Sequence, residues 1–335
     1  MTKAAYIAVV IVIIIVIICL VVWWMAEACL FWPIVEMTWK PKIAYKDLWI
    51  DVYHGKGGGT SKGDGKGWSK RKENGEVPVA PCINAWYFDS FEGANTILFC
   101  HGNAGNISQR DYVINICQTY RINLLLIDYR GFGRSPGVPT TAGVCQDGIA
   151  AYNYLRSSDG PNLHSSQIVV WGESLGGAVA THIAYKNDCR CLVLHSTFSS
   201  IDDAIIYSKK IKFGKSSLAW LATCLIDTMP SKEKLRHVKC PVAVVHSKED
   251  ELIDYHCAEI LYDSIKSSCR KMITIKGAHS APDFNNRALA RLFRFVDVSI
   301  DSCAISQDST LRGISHNLRT VATRHFNHIE RERIV

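Results

Sequence analysis

"VVWGESLGGAVATHIA" (residues 169–184) joins an apolar run to a glycine-flanked serine and then to small residues at helical spacing. A serine on such a corner stands clear of its own backbone, as a nucleophile must. Gly172-Glu173-Ser174-Leu175-Gly176 fits G-x-S-x-G, and the reading depends on its context, a buried strand turning sharply into a helix. The flanking glycines permit the close approach and unusual backbone angles of that turn. As a bare pattern it also fits a helix-capping serine with packing glycines.

Apolar runs alternate with helical patterns on either side of this corner. "INAWYF", "TILFC", "INLLLID", "IVVWG", "CLVLHS", "VAVVHS" and "KMITI" read as strands, while "TTAGVCQDGIAAYNYLR" and "RALARLFRFVDV" read as helices. The strands are continuous apolar runs, which implies a mostly parallel central sheet with helices on both faces. A further strand is expected at "YKDLWIDVY" (Tyr45–Tyr53).

A serine hydroxyl needs a base, and the base needs an orienting acid. In a sheet of this kind the partners follow in the order Ser, Asp, His, each just past a strand end. After "VAVVH", the stretch "SKEDELID" offers Glu249, Asp250, Glu251 and Asp254. Asp250, four residues past the strand, falls on the open loop, whereas Asp254 falls where it opens the next helix and complements its dipole. His279 in "KGAHS" follows a late strand and is downstream of both. His195 and His246 also end strands and read as buried supports. The glycine-rich turn "FCHGNAGN" (Phe99–Asn106) presents free N–H groups, so Asn103 N–H and Leu175 N–H are the expected oxyanion donors. His101 has no second ligand at metal spacing, and neither metal nor cofactor is expected.

Taken together, "HGNAGNIS", "LLLIDYRGFGRSPG", "GESLGGAVA", "LHS", "CPVAVVHSKEDELIDY" and "GAHS" resemble the α/β-hydrolase superfamily, and within it the membrane-associated abhydrolase domain-containing proteins. The resemblance covers roughly residues 80–298. It implies an α/β-hydrolase fold and a serine hydrolase whose nucleophile, acid and base are Ser174, Asp250 and His279. It also implies acyl-lipid or S-acylated-protein substrates, since related proteins include depalmitoylases and lysophospholipid hydrolases. Ser247 stands where the family usually has glycine, and "GAHS" is one glycine shorter than the usual His loop. Two other readings share these motifs: a serine peptidase of the prolyl-oligopeptidase type, and a non-catalytic membrane-tethered interaction protein on a hydrolase scaffold.

The flanks set the organisation. "AAYIAVVIVIIIVIICLVVWW" (Ala4–Trp24) carries no charge and would span about 31 Å as a helix, close to the roughly 30 Å of bilayer hydrocarbon. A single-pass anchor over 1–40 is expected, with Trp23, Trp24 and Trp32 at the interface. A cleaved signal peptide is the competing reading, because "AEA" (Ala26–Ala28) resembles a cleavage site. The hydrolase domain is expected over 43–300. Within it, 54–78 forms a Gly/Lys-rich insertion lacking phosphate-loop spacing, and 198–238 is a possible cap containing "SLAWLATCLI". Residues 301–335 read as a polar tail.

The net charge of +7 derives partly from that lysine-rich insertion and does not indicate nucleic-acid binding. Thirteen scattered cysteines suggest a reducing compartment. The sequon Asn106-Ile107-Ser108 lies against the glycine-rich turn and reads as unused. Both features favour a cytosolic catalytic domain.

Overall fold

A computed structural model describes residues 3–52, 82–207 and 227–307. Along the chain run α1 (Lys3–Leu30), β1 (Trp32–Pro33), β2 (Lys46–Asp51), β3 (Cys82–Phe88), β4 (Thr96–Cys100), β5 (Ala104–Gly105) and α2 (Asp111–Tyr120). Next come β6 (Asn123–Ile127), α3 (Thr141–Arg156), β7 (Ile168–Glu173), α4 (Leu175–Lys186), β8 (Cys191–His195), α5 (Ile201–Tyr207) and α6 (Ser231–Leu235). The chain continues through β9 (Val242–Ser247), α7 (Tyr255–Ser264), β10 (Arg270–Ala278), β11 (Ala281–Asp283) and α8 (Asn286–Gln307).

Among the described residues nine strands form one sheet in the order β11-β10-β9-β8-β7-β4-β6-β3-β2. The six strands from β10 to β6 are mutually parallel, and antiparallel pairs close the two edges. The sequence explains the burial. Every residue of β4, β6 and β8 is buried, as uninterrupted apolar runs require when both faces are covered. Each fully buried Val, Leu or Ile contributes roughly 1.5–3 kcal/mol. One face packs against α3, α4 and α7 around Leu98, Leu125, Val170 and Leu194. The other packs against α2 and α8 around Phe99, Leu126, Trp171 and Val193.

Strand order places the functional region. From β4 the chain crosses outward to β6, then returns to β7 on the opposite side of β4. The crevice above the carboxyl ends of β4 and β7 is therefore a topological switch point, where open α/β sheets bind ligands. The loop 101–110 and Ser174 leave the sheet at that crevice.

Three features lay beyond the sequence reading. The backbone of α1 stays helical to Leu30 and delivers the chain directly into β1, which pairs parallel with β5 on the loop after β4. α8 continues to Gln307, into the segment read as tail. Nine cysteines are free thiols among the described residues, but Cys269 is disulfide-bonded, which departs from the expectation of unpaired thiols. The Gly/Lys-rich insertion 54–78 lies outside the described residues, as does 208–226 of the possible cap and 308–335 of the tail. The described helix α1 contains a window, Ala5–Trp23, apolar and long enough to cross a membrane or to act as a signal sequence.

Candidate active site

Ser174 occupies the turn between β7 and α4 with φ 52° and ψ −120°, a left-handed φ that costs a non-glycine residue energy. Three hydrogen bonds hold it there. Ser174 N–H donates to His195 O at 2.9 Å, while Gly177 N–H and Thr197 Oγ1–H donate to Ser174 O at 2.9 and 2.6 Å. The neighbouring glycines are required by space. A Cβ at Gly172 would lie 2.2 Å from Gly176 O, and one at Gly176 would lie 2.0 Å from Cys100 O. The close approach of α4 to β4 and β7 thus fixes where the hydroxyl points.

His279 reaches that hydroxyl from a hairpin. β10 and β11 pair so that Ala278 faces Ala281, leaving His279 and Ser280 as the two-residue turn. His279 Nε2 lies 3.1 Å from Ser174 Oγ, and its Nδ1 lies 2.8 Å from Asp250 Oδ2. The Asp250 side chain is fully buried, and its Oδ1 accepts N–H bonds from Leu252 and Ile253. Burial pushes the Asp250 pKa up, but the His279 hydrogen bond and charge, the Ile253 N–H and His246 outweigh it, and the net shift is downward. Three residues spread over 105 positions are therefore in one hydrogen-bonded chain.

The other acids of that loop have different partners. Glu249 Oε2 accepts from Gly277 N–H at 2.9 Å, and Glu251 Oε2 accepts from His279 N–H at 3.0 Å. Together they pin the histidine hairpin to the aspartate loop, a role that residue type alone did not reveal. Asp254 caps α7 by accepting from His256 N–H.

Gly102 sits against Ser174, so close that a Cβ there would be 3.3 Å from Ser174 Cβ. The adjoining Asn103 N–H makes no backbone hydrogen bond among the described residues. Leu175 is the first residue of α4 and has no preceding helical carbonyl to receive its N–H. The loop is braced from below by Glu173, whose carboxylate meets Arg110 Nε at 3.2 Å and accepts a long bond from Gly102 N–H. Burial raises the Glu173 pKa, but Arg110 and the neighbouring His195 more than compensate and hold it below the usual range. The sequence offered no hint of this pair beyond the two charges.

The same loop is stitched to the segment that follows α1. Asn103 Nδ2 donates to Leu30 O at 2.6 Å, and Trp32 N–H donates to Asn103 Oδ1. Asn106 Nδ2 donates to Ile34 O and Glu36 O, while its Oδ1 accepts from the N–H and hydroxyl of Ser108. Asn106 is fully buried, so the folded chain has no room for a glycan there. His101 is also buried, with its Nε2 3.4 Å from Asp128 Oδ1.

His195 and His246 are both buried, as supports should be. His246 Nε2 faces Ile253 O at 3.0 Å. His195 is enclosed by Trp171 and Phe284, and neither ring nitrogen has a hydrogen-bond partner among the described residues. Desolvation lowers its pKa to about 4, a shift opposed by Glu173 and reinforced by His246 and His279. An unfolded histidine titrates near 6.5, so between pH 6.5 and 4 the unfolded chain binds a proton that the folded chain refuses. Stability therefore falls as pH drops through that window. Relative to pH 7.5, urea unfolding at pH 4.5 is expected to show a loss of about 2 kcal/mol from this residue. His195→Phe should remove that increment; an unchanged acid-side slope would assign it elsewhere.

Comparison with known proteins agrees with the fold. Residues 92–236 match the Hydrolase_4 family, described as serine aminopeptidase, S33. An α/β-hydrolase domain-containing protein of Caenorhabditis elegans, aho-3, is 28% identical over 228 residues, covering 68% of this chain and 64% of its own length. The protein YfhR of Escherichia coli is 30% identical over 221 residues, covering 63% of this chain and 74% of its own. A Pyrococcus furiosus esterase superposes with a TM-score of 0.59 at 19% identity, over 81% of this chain and 97% of the esterase. The chain belongs to the α/β-hydrolase family. It spans about two thirds of the length of the nematode relative.

Proposed function

We propose that this protein is a membrane-anchored serine hydrolase that cleaves long-chain acyl esters or thioesters, of lipid or of S-acylated protein, with Ser174 as nucleophile, His279 as base and Asp250 as orienting acid. The observation that carries it is the continuous chain of contacts from Asp250 Oδ2 through the His279 ring to Ser174 Oγ. His279 Nε2 takes the hydroxyl proton as Oγ attacks the acyl carbon. The tetrahedral oxyanion is received by the N–H groups of Asn103 and Leu175, each worth on the order of 10²–10³ in rate. His279 then gives its proton to the departing oxygen or sulfur, leaving the acyl group on Ser174. Water, deprotonated by the same nitrogen, releases the acid and restores the serine. Asp250 stays ionised throughout and keeps the Nδ1 proton in place.

The substrate class rests on the apolar helix α1, in which the 19 residues Ala5–Trp23 have a mean hydropathy of 3.6 and none is buried against the rest of the protein. A domain held beside lipid meets acyl chains at high local concentration. Membrane-reconstituted protein should take a fluorophosphonate tag on Ser174 and hydrolyse palmitoyl thioesters in vesicles. A folded protein that takes no tag would point to the interaction-scaffold reading. Cleavage of short peptides in preference to acyl esters would favour a peptidase.

A further inference from the structure

The end of α1 and the candidate oxyanion loop are one structural unit. Leu30, the last residue of the helix, offers its carbonyl to the side chain of Asn103, the residue whose N–H is proposed to receive the oxyanion. Two residues later, at Trp32, the chain is in β-pairing with Ala104, and the intervening Phe31 is buried edge-on against Phe132. Ile34 O then accepts from Gly133 N–H, and Thr38 N–H donates to Ser108 Oγ at 3.0 Å. No flexible tether separates the apolar helix from the site.

That continuity fixes a height. The apolar window Ala5–Trp23 spans about 28 Å, and the helical residues from there to Leu30 add roughly 10 Å. The whole helix, 28 residues, is about 42 Å long against roughly 40–45 Å for a bilayer with its headgroups, which sets Leu30 at the outer edge of the headgroup layer. The segment after the helix exposes Trp32 (68%), Ile34 (41%) and Val35 (68%), apolar side chains that an aqueous surface would ordinarily bury. On the loop that binds Ile34, Val138 is likewise 75% exposed.

The geometry points to a bilayer-seated face: Trp32, Ile34, Val35 and Val138 rest on the outer edge of the headgroup layer and hold the Ser174 opening at the membrane surface, so that the hydrolase takes acyl chains whose scissile carbonyl lies in the headgroup region. This rests on the membrane-anchored reading above and adds a location to it. An ester or thioester at the lipid interface is within reach. The same bond carried tens of ångströms into the aqueous phase on a rigid stalk is not.

The test raises the domain without touching its contacts. Seven alanine-rich residues inserted between Met25 and Ala26 add about 10 Å of helix and nearly two full turns, so azimuth changes by only about 20°. Full-length protein in phosphatidylcholine vesicles is compared with the insertion variant and with Val35→Asp. Turnover of a vesicle-borne palmitoyl thioester is expected to fall at least tenfold with the insertion and several-fold with Val35→Asp. Hydrolysis of a soluble short-chain ester should be unchanged in both. Equal vesicle turnover in all three proteins overturns the seat. A phospholipid carrying a diazirine in its headgroup region gives a readout independent of catalysis, and it should label residues 31–40 in the native chain and not in the insertion variant. Labelling without any hydrolysis would remove the enzymatic reading and leave the seat standing. Absence of labelling, including the case in which a second copy covers this face in a concentration-dependent dimer, overturns the proposal.

Discussion

Ser174→Ala is expected to lower kcat on a vesicle-borne acyl thioester by about 10⁶, to the floor set by substrate binding and oxyanion contacts. The size follows from the geometry. Among the described residues Ser174 Oγ pairs only with His279 Nε2, at 3.1 Å, so removing the hydroxyl removes the proposed attacking atom and little else. The backbone that positions it is held by its own N–H and carbonyl, through His195, Gly177 and Thr197. Alanine at φ 52° inherits the strain already carried by serine. The melting temperature should therefore move little while fluorophosphonate labelling disappears. A variant retaining more than a hundredth of native turnover, with its fold intact, would mean that another nucleophile does the work.

The second large effect concerns the proton on the imidazole. Asp250 presents one oxygen to Nδ1 of His279 and spends the other on the N–H groups of Leu252 and Ile253. In Asp250→Asn the amide oxygen must take the two backbone donors, so the NH₂ group turns toward Nδ1. The ring then has to accept at Nδ1 and carry its proton on Nε2, which faces Ser174 with a hydrogen where a lone pair is needed. Loss of about 10⁴ in kcat is expected, with KM for the same thioester nearly constant. Glu249 and Glu251 cannot step in, because their carboxylates are engaged with the backbone of Gly277 and His279. Because the Asp250 pKa is lowered, its stabilising charge is present above the ordinary aspartate range and is lost only as pH falls through the depressed value. The native enzyme should consequently keep Asp250 ionised through mildly acidic pH. The carboxylate stretch of Asp250, read from the infrared difference between native protein and Asp250→Asn, should persist from pH 8 down to pH 5, and its disappearance in that range would overturn the lowered pKa.

Much of this was legible in the sequence because two independent signals coincide. The run 168–173 is apolar without alternation, and glycine surrounds Ser174 where α4 crowds Cys100 and Thr197. Strand-end placement then separated Asp250 from Asp254, and the structure puts Asp254 at a helix cap. What stayed hidden depends on tertiary approach. Glu249 and Glu251 look like solvated turn acids until the β10–β11 hairpin brings backbone N–H groups to them. Arg110 and Glu173 are 63 positions apart, and nothing local to either announces that they meet. The docking of Trp32–Thr38 onto loop 103–108 uses main-chain groups, two asparagines and the hydroxyls of Thr38 and Ser108, which carry no hydrophobic period to read.

Asn106 shows what such docking entails for biosynthesis. Its amide nitrogen already carries two hydrogen bonds to the polypeptide that leaves the helix, and a sugar on that nitrogen would replace one of them with a bulky substituent in a sealed interior. Attachment before folding would evict that polypeptide and leave a misassembled crevice for quality control to remove. Mobility shifts after glycosidase treatment therefore say nothing about sidedness for the mature chain. A sequon introduced at the exposed turn around Ser158 and Asp159 would report which compartment the domain occupies.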